Sequence, residues 1–359
     1  MPDTVVYRPV SFEALPGWHE DALEEVLPAF QRSCGVLSKQ PGDRTLGPAG
    51  AAGPVRRWQA VCRAAASLGP VSRQTIQTFF ETWFLPAEVL FRNSSTGIFT
   101  GYYEAEFKGS LKPSGTYRTP VYGRPGDLVT VDLSLFREEW KHESIVGRLD
   151  GGRLKRYPDR AAIDAGELSG IAPPILWVAD PVDVFLLHIQ GSARVRLDDG
   201  GTVRLRYAAD NGRKFVGIVR TMVNRGLIPQ DSQSMEVVTR WLREHPGQAP
   251  EIMAENPRYI FFQLLNGEGP IGAQGVALTP GRSLAVDPRY IPLGAPLWLD
   301  TTTPDGGRLR RLVMAQDTGN AITGAVRGDY FWGTGEKAFH SAGRMKSSGR
   351  YFILLPRDS

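Results

Sequence analysis

Residues 315–333 read AQDTGNAITGAVRGDYFWG and contain two aspartates, Asp317 and Asp329, at the edges of apolar runs. A third aspartate, Asp287, lies upstream in SLAVDPRYIPLG (283–294). Each of the three follows or lies within a predicted strand end, beside Gly or Pro. A rigid sheet can aim such carboxylates into a cleft, which suits catalysis. Because aspartate before Gly or Pro also caps turns, a catalytic cluster and a set of turn residues both remain open.

Short apolar or alternating runs surround this segment and predict β-strands. In the first ninety residues, by contrast, apolar residues recur at helical spacing around 22–30, 55–62 and 76–83. Two further helices are predicted at about 213–226 and 235–245. The sequence therefore predicts a mainly β protein with N-terminal helices. The strand candidates are STGIFTGYY (95–103), DVFLLHIQG (183–191), RYIFFQLL (258–265), LRRLVMA (309–315) and YFILL (351–355).

A β-hairpin is predicted in ARVRLDDGGTVRLRY (193–207), with the turn at Asp198-Asp199-Gly200-Gly201. Its arginines alternate with apolar residues and should share one face. Like charges opposite one another destabilise a hairpin, so this face should meet carboxylates or an anionic ligand, unless it is simply solvated. An RNA-binding strand pair is the sharper alternative, but no aromatic pair lies in these strands. The arginines are Arg194, Arg196, Arg204 and Arg206.

The composition resembles that of an ordinary globular protein, with 42% hydrophobic and 22% charged residues. A chain of 359 residues suggests two domains, or one domain with a large insertion. The net charge of +4 is too small to imply nucleic-acid binding by itself. No apolar stretch is long enough for a membrane span, and MPDTVVYRPV (1–10) lacks the pattern of a signal peptide.

Three short motifs carry little weight by themselves. Asp317-Thr318-Gly319 matches the D-T-G of aspartic proteases, but those enzymes need two such aspartates, from two copies or a homodimer. GEGPIG (267–272) fits G-x-G-x-x-G, yet no helical pattern follows it, so a turn is predicted. The two cysteines lie outside any C-x-x-C, and the five histidines show no ligand spacing. Neither a metal nor a cofactor is predicted.

Five segments resemble the membrane-bound lytic murein transglycosylase A family, and the resemblance extends from about residue 8 to the C-terminus. The run 317–333 is the most specific, because it matches this family and its relatives with a three-aspartate domain. The family's usual D-x-G-G ends here in Asn320, a residue type that tolerates positive φ. The segments are FTGYYEAEF (99–107), LHIQGSARV (187–195), AVDPRYIPLG (285–294), AQDTGNAITGAVRGDYFWG (315–333) and HSAGRMKSSGRYFILLP (340–356).

The resemblance implies a double-psi β-barrel domain built from residues 1–104 and 259–359. A smaller β-rich domain, residues 105–258, would be inserted between them and bind substrate, with a cleft between the two. The implied activity is cleavage of the β-1,4 bond between N-acetylmuramic acid and N-acetylglucosamine in peptidoglycan, giving 1,6-anhydro ends without a metal or cofactor. The partners would be glycan strands and other cell-wall synthesis or lysis proteins, not nucleic acid. The implied location is the periplasm; outer-membrane attachment stays open, since no signal peptide or lipid-bearing cysteine is matched.

Matched position by position, the catalytic acid/base of the family is Asp329, with Asp317 its neighbour in the cleft and Asp287 a structural residue. One carboxyl group that acts first as acid and then as base must start protonated near neutral pH. Apolar surroundings, which the aromatic residues 330–332 could provide, would raise its pKa. The substrate-binding positions implied by the match are Thr100, Tyr103, Gln190 and Ser192.

Three other functions remain open on these residues. A water-using muramidase would employ Asp317 together with Asp329, and a non-catalytic peptidoglycan-binding protein would employ neither. An aspartic protease would need a homodimer joined at Asp317. Because the family works in the periplasm and both cysteines lie on or beside amphipathic helices, we also predict a disulfide between Cys34 and Cys62.

Overall fold

The computed structural model describes residues 5–69, 72–140, 143–231, 234–265, 269–319 and 321–357. Its strands are β1 (Val5–Pro9), β2 (Phe84–Phe91), β3 (Gly97–Ser110), β4 (Thr119–Tyr122), β5 (Leu128–Asp132), β6 (Ser144–Asp150), β7 (Arg153–Arg156), β8 (Pro174–Val178), β9 (Ser192–Leu197), β10 (Thr202–Asp210), β11 (Ile260–Leu265), β12 (Ser283–Val286), β13 (Pro296–Thr302), β14 (Arg308–Asp317), β15 (Arg327–Thr334) and β16 (Lys346–Pro356). The helices are α1 (Leu27–Leu37), α2 (Val55–Ala66), α3 (Arg73–Trp83), α4 (Arg160–Asp164), α5 (Pro181–Gln190), α6 (Ile218–Asn224), α7 (Met235–Glu244), α8 (Ala249–Ala254) and α9 (Glu336–Arg344). The protein is therefore mainly β with helices.

The chain divides into two compact units, which are 1–103 with 268–359, and 104–267. In the first unit the strand order is β1-β2-β16-β13-β14-β12-β15-β3. Strand β16 also pairs along its first residues with β3, from Lys346 opposite Thr100 to Gly349 opposite Gly97. One strand thus contacts β13 and β2 at one end and β3 at the other. This arrangement brings the two ends of the chain into one sheet.

The second unit contains its own sheet, in which the later half of β3 runs parallel to β9 and β9 pairs with β10. Strand β10 pairs in turn with β11, so β11 belongs to this unit, whereas the sequence interpretation placed residues from 259 onward with the other. Strands β4 and β8 extend the sheet, and β5, β6 and β7 form a separate three-stranded sheet. The predicted hairpin is confirmed as β9–β10. Its arginines meet carboxylates, since Glu106 contacts Arg194 and Arg196.

The core of the first unit packs the helices α1, α2 and α3 against β2 and β16. Phe30 of α1 lies at the centre of an aromatic cluster, with rings of Phe79, Phe80 and Phe84 within 6.0 Å. The predicted disulfide between α1 and α2 is confirmed, since Cys34 and Cys62 are bonded. These contacts explain why the helical spacing in the first ninety residues was readable.

The segment DVFLLHIQG is a helix and not the strand that its apolar run predicted. Asp180 caps the helix N-terminus by accepting from the amide of Val182 at 2.9 Å, and Pro181 occupies the first turn. Gly191 ends the helix with a left-handed φ of 76°. The helix predicted at about 213–226 is shorter than expected, because it begins only at Ile218.

Candidate active site

Two of the three predicted aspartates lie on one face of the first unit's sheet. Strand β12 lies between β14 and β15, and Ala285 of β12 is paired with Asp317 on one side and Asp329 on the other. Residues paired across neighbouring strands point to the same face of a sheet. Ala285 therefore lies between the two aspartates in the strand order.

Asp329 is held by a short chain of hydrogen bonds. Arg327 Nη2 donates to Thr100 Oγ1 at 2.8 Å, and the Thr100 hydroxyl donates to Asp329 Oδ1 at 2.5 Å. Because the Thr100 oxygen accepts from a guanidinium, its own proton is committed to Asp329. Among the described residues no donor contacts Asp329 Oδ2. A carboxyl proton on Asp329 is therefore best placed on that second oxygen.

The pKa of Asp329 lies above the ordinary value for aspartate. Burial is the main cause, since it disfavours the charged carboxylate, and the nearby charge of Asp317 acts in the same direction. The hydrogen bond from Thr100 and the charge of Arg327 lower the pKa but do not cancel the effect of burial. Such a carboxyl group holds its proton to a higher pH than an exposed aspartate does.

Asp317 has a different environment on the same face. Its Oδ1 accepts from the backbone amides of Ala273 and Thr318, each at 2.9 Å. Burial nevertheless raises its pKa above the ordinary value, while these amides and Tyr102 act to lower it. The Tyr102 hydroxyl is buried close to Asp317 but makes no hydrogen bond of good geometry. Burial, followed by the charge of Asp317, raises the pKa of Tyr102 well above its usual value.

Asp287 uses its oxygens to fix the chain before β15. It accepts from the side chain of Arg289 at 2.9 and 2.7 Å and from the amide of Gly324 at 2.8 Å. Burial acts to raise its pKa, but these hydrogen bonds outweigh burial and the pKa lies below the ordinary value. Its contacts are those of a residue that holds the loop between Asp317 and Asp329.

The four predicted substrate-binding residues are distributed over both units. Thr100 contacts Asp329 directly, and Tyr103 packs its ring against Phe339 of α9 at 5.3 Å. Burial raises the pKa of Tyr103 to about 12. Gln190 ends α5 and Ser192 begins β9, both in the second unit.

Sequence reasoning missed one residue of the site, Arg327. Arg327 precedes Asp329 by two positions, so strand alternation places both on one face of β15. Its partner Thr100 is 229 residues away from Asp329 in the chain, and no local pattern reports that pairing. Of the aromatic residues expected beside Asp329, Phe331 contacts the Tyr102 ring at 5.1 Å, whereas Tyr330 lies in the core.

A glycine permits the close packing around this strand. A Cβ on Gly101 would lie 2.4 Å from Trp332 Nε1 and 3.0 Å from the backbone of Ala342. The Trp332 indole nitrogen is buried there, with no hydrogen-bond partner among the described residues. Only a residue without a side chain fits this contact at the position between Thr100 and Tyr102.

The described segments of the chain contain no group of three His, Cys, Asp or Glu residues that could hold a metal ion. No helix in these segments is long and apolar enough to cross a membrane. Asn320, which replaces the second glycine of D-x-G-G, lies outside the described residues, as do positions 267 and 268 of GEGPIG. Within the described part of that motif, Ile271 forms an isolated β-bridge with Ala277, and the residues directly after the motif are not helical.

The fold and the paired aspartates define a mainly β protein with a buried carboxyl site, a type of site used to cleave glycosidic bonds. The family model described as the MltA specific insert domain matches residues 98–263, and the 3D domain model matches residues 282–355. The crystal structure of MltA from Neisseria gonorrhoeae matches this fold with a TM-score of 0.88, and the two sequences are 33% identical. The match covers 99% of this chain and 92% of that one. The chain belongs to the membrane-bound lytic murein transglycosylase A family.

Two further relatives extend the comparison. The membrane-bound lytic murein transglycosylase A of Vibrio cholerae is 27% identical over 265 residues, which are 72% of this chain and 65% of the relative. The chain thus spans about 65% of the length of the curated relatives it matches. Escherichia coli MltA with bound chitohexaose shares the fold at 22% identity and a TM-score of 0.68, covering 100% of this chain and 95% of that one.

Proposed function

We propose that this protein is a peptidoglycan lytic transglycosylase. It cleaves the β-1,4 bond between N-acetylmuramic acid and N-acetylglucosamine and leaves 1,6-anhydromuramic ends. The observation that carries the proposal is the state of Asp329, a half-buried carboxyl group with a raised pKa. Thr100 donates to one of its oxygens, and no donor among the described residues contacts the other. Family membership supports the same activity, and the chitohexaose bound by the Escherichia coli relative supports a glycan ligand.

Asp329 serves as acid and then as base. Its proton passes from Oδ2 to the glycosidic oxygen as the bond from that oxygen to C1 breaks. The resulting carboxylate takes the proton from the sugar's own 6-hydroxyl, whose oxygen bonds to C1 and closes the anhydro ring. The attacking group is part of the substrate, and such intramolecular steps gain up to roughly 7–11 kcal/mol in ideal geometry. No water enters the product.

The neighbours of Asp329 set its protonation and orientation. Arg327 and Thr100 hold Oδ1, so the exchangeable proton stays on Oδ2. Asp317 raises the pKa of Asp329 through its negative charge and favours the acid form needed for the first step. Asp317 is thus a positioning and electrostatic residue. Tyr103, Gln190 and Ser192 contact the glycan in this proposal, as does Thr100.

The first unit is the catalytic domain in this account, and we assign it a double-psi β-barrel. The pairing of β16 with both β13 and β3 supports the assignment, since it returns the sheet on itself. The second unit binds substrate, and the matched insert-domain model supports this role. The proposed location is the periplasm, with attachment to the outer membrane; the relatives are named as membrane-bound, which supports attachment to a membrane.

A water-using muramidase is the second candidate, because Asp317 lies on the same face as Asp329 and also has a raised pKa. Digestion of purified sacculi, with mass analysis of the released ends, separates the two. We expect muramic ends one water lighter than hydrolytic ends, and no fragments from the Asp329→Asn variant. Hydrolytic ends that disappear in both Asp329→Asn and Asp317→Asn would favour the muramidase. Binding to sacculi without release of fragments would identify a non-catalytic binding protein.

A further inference from the structure

The second unit contains a cavity of about 510 Å³ that lies entirely within residues 124–258. This volume is within the range of pockets that bind small molecules. Its lining combines Arg124, Arg213, Lys214 and Arg258 with a single carboxylate, Asp210. A concave site with such an excess of cations attracts anions.

The carboxylate in the cavity is already fully engaged. Asp210 Oδ2 accepts from Arg258 Nη2 and from the Tyr207 hydroxyl, both at 2.8 Å. Its Oδ1 accepts from the amide of Gly212 at 2.7 Å. Asp210 therefore balances the charge of Arg258 and leaves three cations without a carboxylate.

None of these three cations is neutralised by a carboxylate of the described residues, and two of them, Arg124 and Arg213, are oriented by backbone carbonyls. Arg213 donates twice to the carbonyl of Tyr157, at 3.1 and 2.8 Å, and Arg124 donates to the carbonyl of Leu128 at 3.3 Å. Neutral carbonyls fix a guanidinium without cancelling its charge. In the segments that the structure describes, no carboxylate lies within ion-pair distance of Arg124, Arg213 or Lys214. The buried Nε of Arg258 also has no acceptor there.

The turn that presents Arg213 and Lys214 is rigid. Asn211 is buried and donates to the carbonyls of Pro158 and Pro257, both at 2.9 Å. Gly212 has a φ of +69°, and a Cβ there would lie 2.7 Å from the Cβ of Val146. The backbone of the turn and the guanidinium of Arg213 are thus held in place before any ligand arrives, which lowers the entropic cost of binding.

We propose that this cavity binds the carboxylates of an acidic peptide of the kind that forms the stem of peptidoglycan; the identity of the peptide rests on the proposed function. Guanidinium groups match carboxylates by paired hydrogen bonds. The hydroxyls of Thr130 and Ser144 add donors, and Val146 and Ala209 offer an apolar wall for the small side chains of such peptides. The second unit would then recognise the stem as well as the glycan.

The test measures binding of a synthetic stem peptide, L-Ala-γ-D-Glu-meso-diaminopimelate, to the full chain by calorimetry. We expect Arg124→Gln and Lys214→Gln each to weaken binding about tenfold, as for loss of a charged hydrogen bond. The matched control Lys112→Gln removes an exposed cation of the same unit and should leave binding unchanged. Amidation of the peptide carboxyls should weaken binding at least as much as either variant.

Three results would overturn the proposal. They are no binding of the peptide, equal binding of the amidated peptide, and displacement of the peptide by inorganic phosphate at comparable affinity. Cleavage of stem-free glycan strands is measured in parallel and should be unaffected by the control Lys112→Gln. If the protein cleaves glycan but does not bind the peptide, only the proposal of a peptide-binding cavity is refuted. If the protein binds the peptide but cleaves no glycan, the proposed function is refuted, and the cavity remains a peptide-binding site.

Discussion

The two carboxyl oxygens of Asp329 have different surroundings, and this difference makes one group suitable as both acid and base. Oδ1 is bound by Thr100, whose orientation is fixed by Arg327. Oδ2 has no donor among the described residues and carries the exchangeable proton in our proposal. Burial keeps that proton bound to a higher pH than usual. The amide of Asn has nearly the same shape but no acidic proton.

Asp329→Asn should therefore lose lytic activity by at least about 10²–10⁴-fold. Asp317→Asn should lose less, because in our proposal Asp317 acts only through Asp329. The fold should persist in the Asp329 variant. Because the folded-state pKa is raised, the ionised carboxylate costs stability above its ordinary pKa of about 3.9, and the neutral amide removes this cost. At pH 7 the variant should melt no lower than the parent. A dead Asp317→Asn beside an active Asp329→Asn would reverse the assignment.

The alkaline limb of the pH–activity profile should move in opposite directions in two variants. If protonated Asp329 is required, kcat/KM falls as the pH rises through its pKa. The charge of Asp317 raises that pKa, so Asp317→Asn should shift the fall to lower pH. The charge of Arg327 lowers it, so Arg327→Gln should shift the fall to higher pH. If the alkaline limb stays at the same pH in both variants, or shifts in the same direction in both, the assigned electrostatics would be contradicted.

Among the strands, β3 places Thr100 beside Asp329. The next residue, Gly101, has no side chain, and Trp332 packs against the backbone there. Gly101→Ala should place a methyl group 2.4 Å from Trp332 Nε1. We expect a loss of about 1–3 kcal/mol of stability from overpacking, together with reduced lysis as Thr100 is displaced. Gly343→Ala in α9 is the control, because nothing lies within 4 Å of its added Cβ. An unchanged melting temperature and activity in Gly101→Ala would show that the packing is not needed.

The disulfide between α1 and α2 should stabilise the first unit. It closes a loop of 28 residues, which corresponds to about 3.6 kcal/mol by chain entropy. The double variant Cys34→Ser and Cys62→Ser should melt lower by about 2–4 °C for each kcal/mol lost. The parent protein treated with a reductant is the comparison. Two free thiols titrating in the unreduced, denatured protein would rule out the bond.

Strands with alternating patterns were readable from the sequence, and so were the strand ends that carry Asp317 and Asp329. The helix α5 was not, because its apolar residues face a core and hide the helical period. Its caps, Asp180 and Gly191, were the available signal. The contact of Arg327 with Thr100 depends on chain segments more than 200 residues apart. Such pairings follow from the assembled sheet and not from any local pattern.

At the scale of the whole molecule, both ends of the chain contribute to the candidate active site. Thr100 comes from the N-terminal part of the first unit, and Asp317, Arg327 and Asp329 come from the C-terminal part. The second unit is inserted between them in the chain and carries its own cationic cavity. This organisation supports a division in which one unit cleaves the glycan and the other recognises further parts of the polymer.

In our proposal the sugar's own 6-hydroxyl, and not water, attacks C1. Digestion of purified sacculi in ¹⁸O-water, followed by mass analysis of the new muramic ends, tests it most directly. A lytic enzyme with Asp329 as its single acid and base should give anhydro ends that contain no heavy oxygen. Heavy oxygen at the new reducing ends would mean that water is the nucleophile, and the transglycosylase account would be wrong.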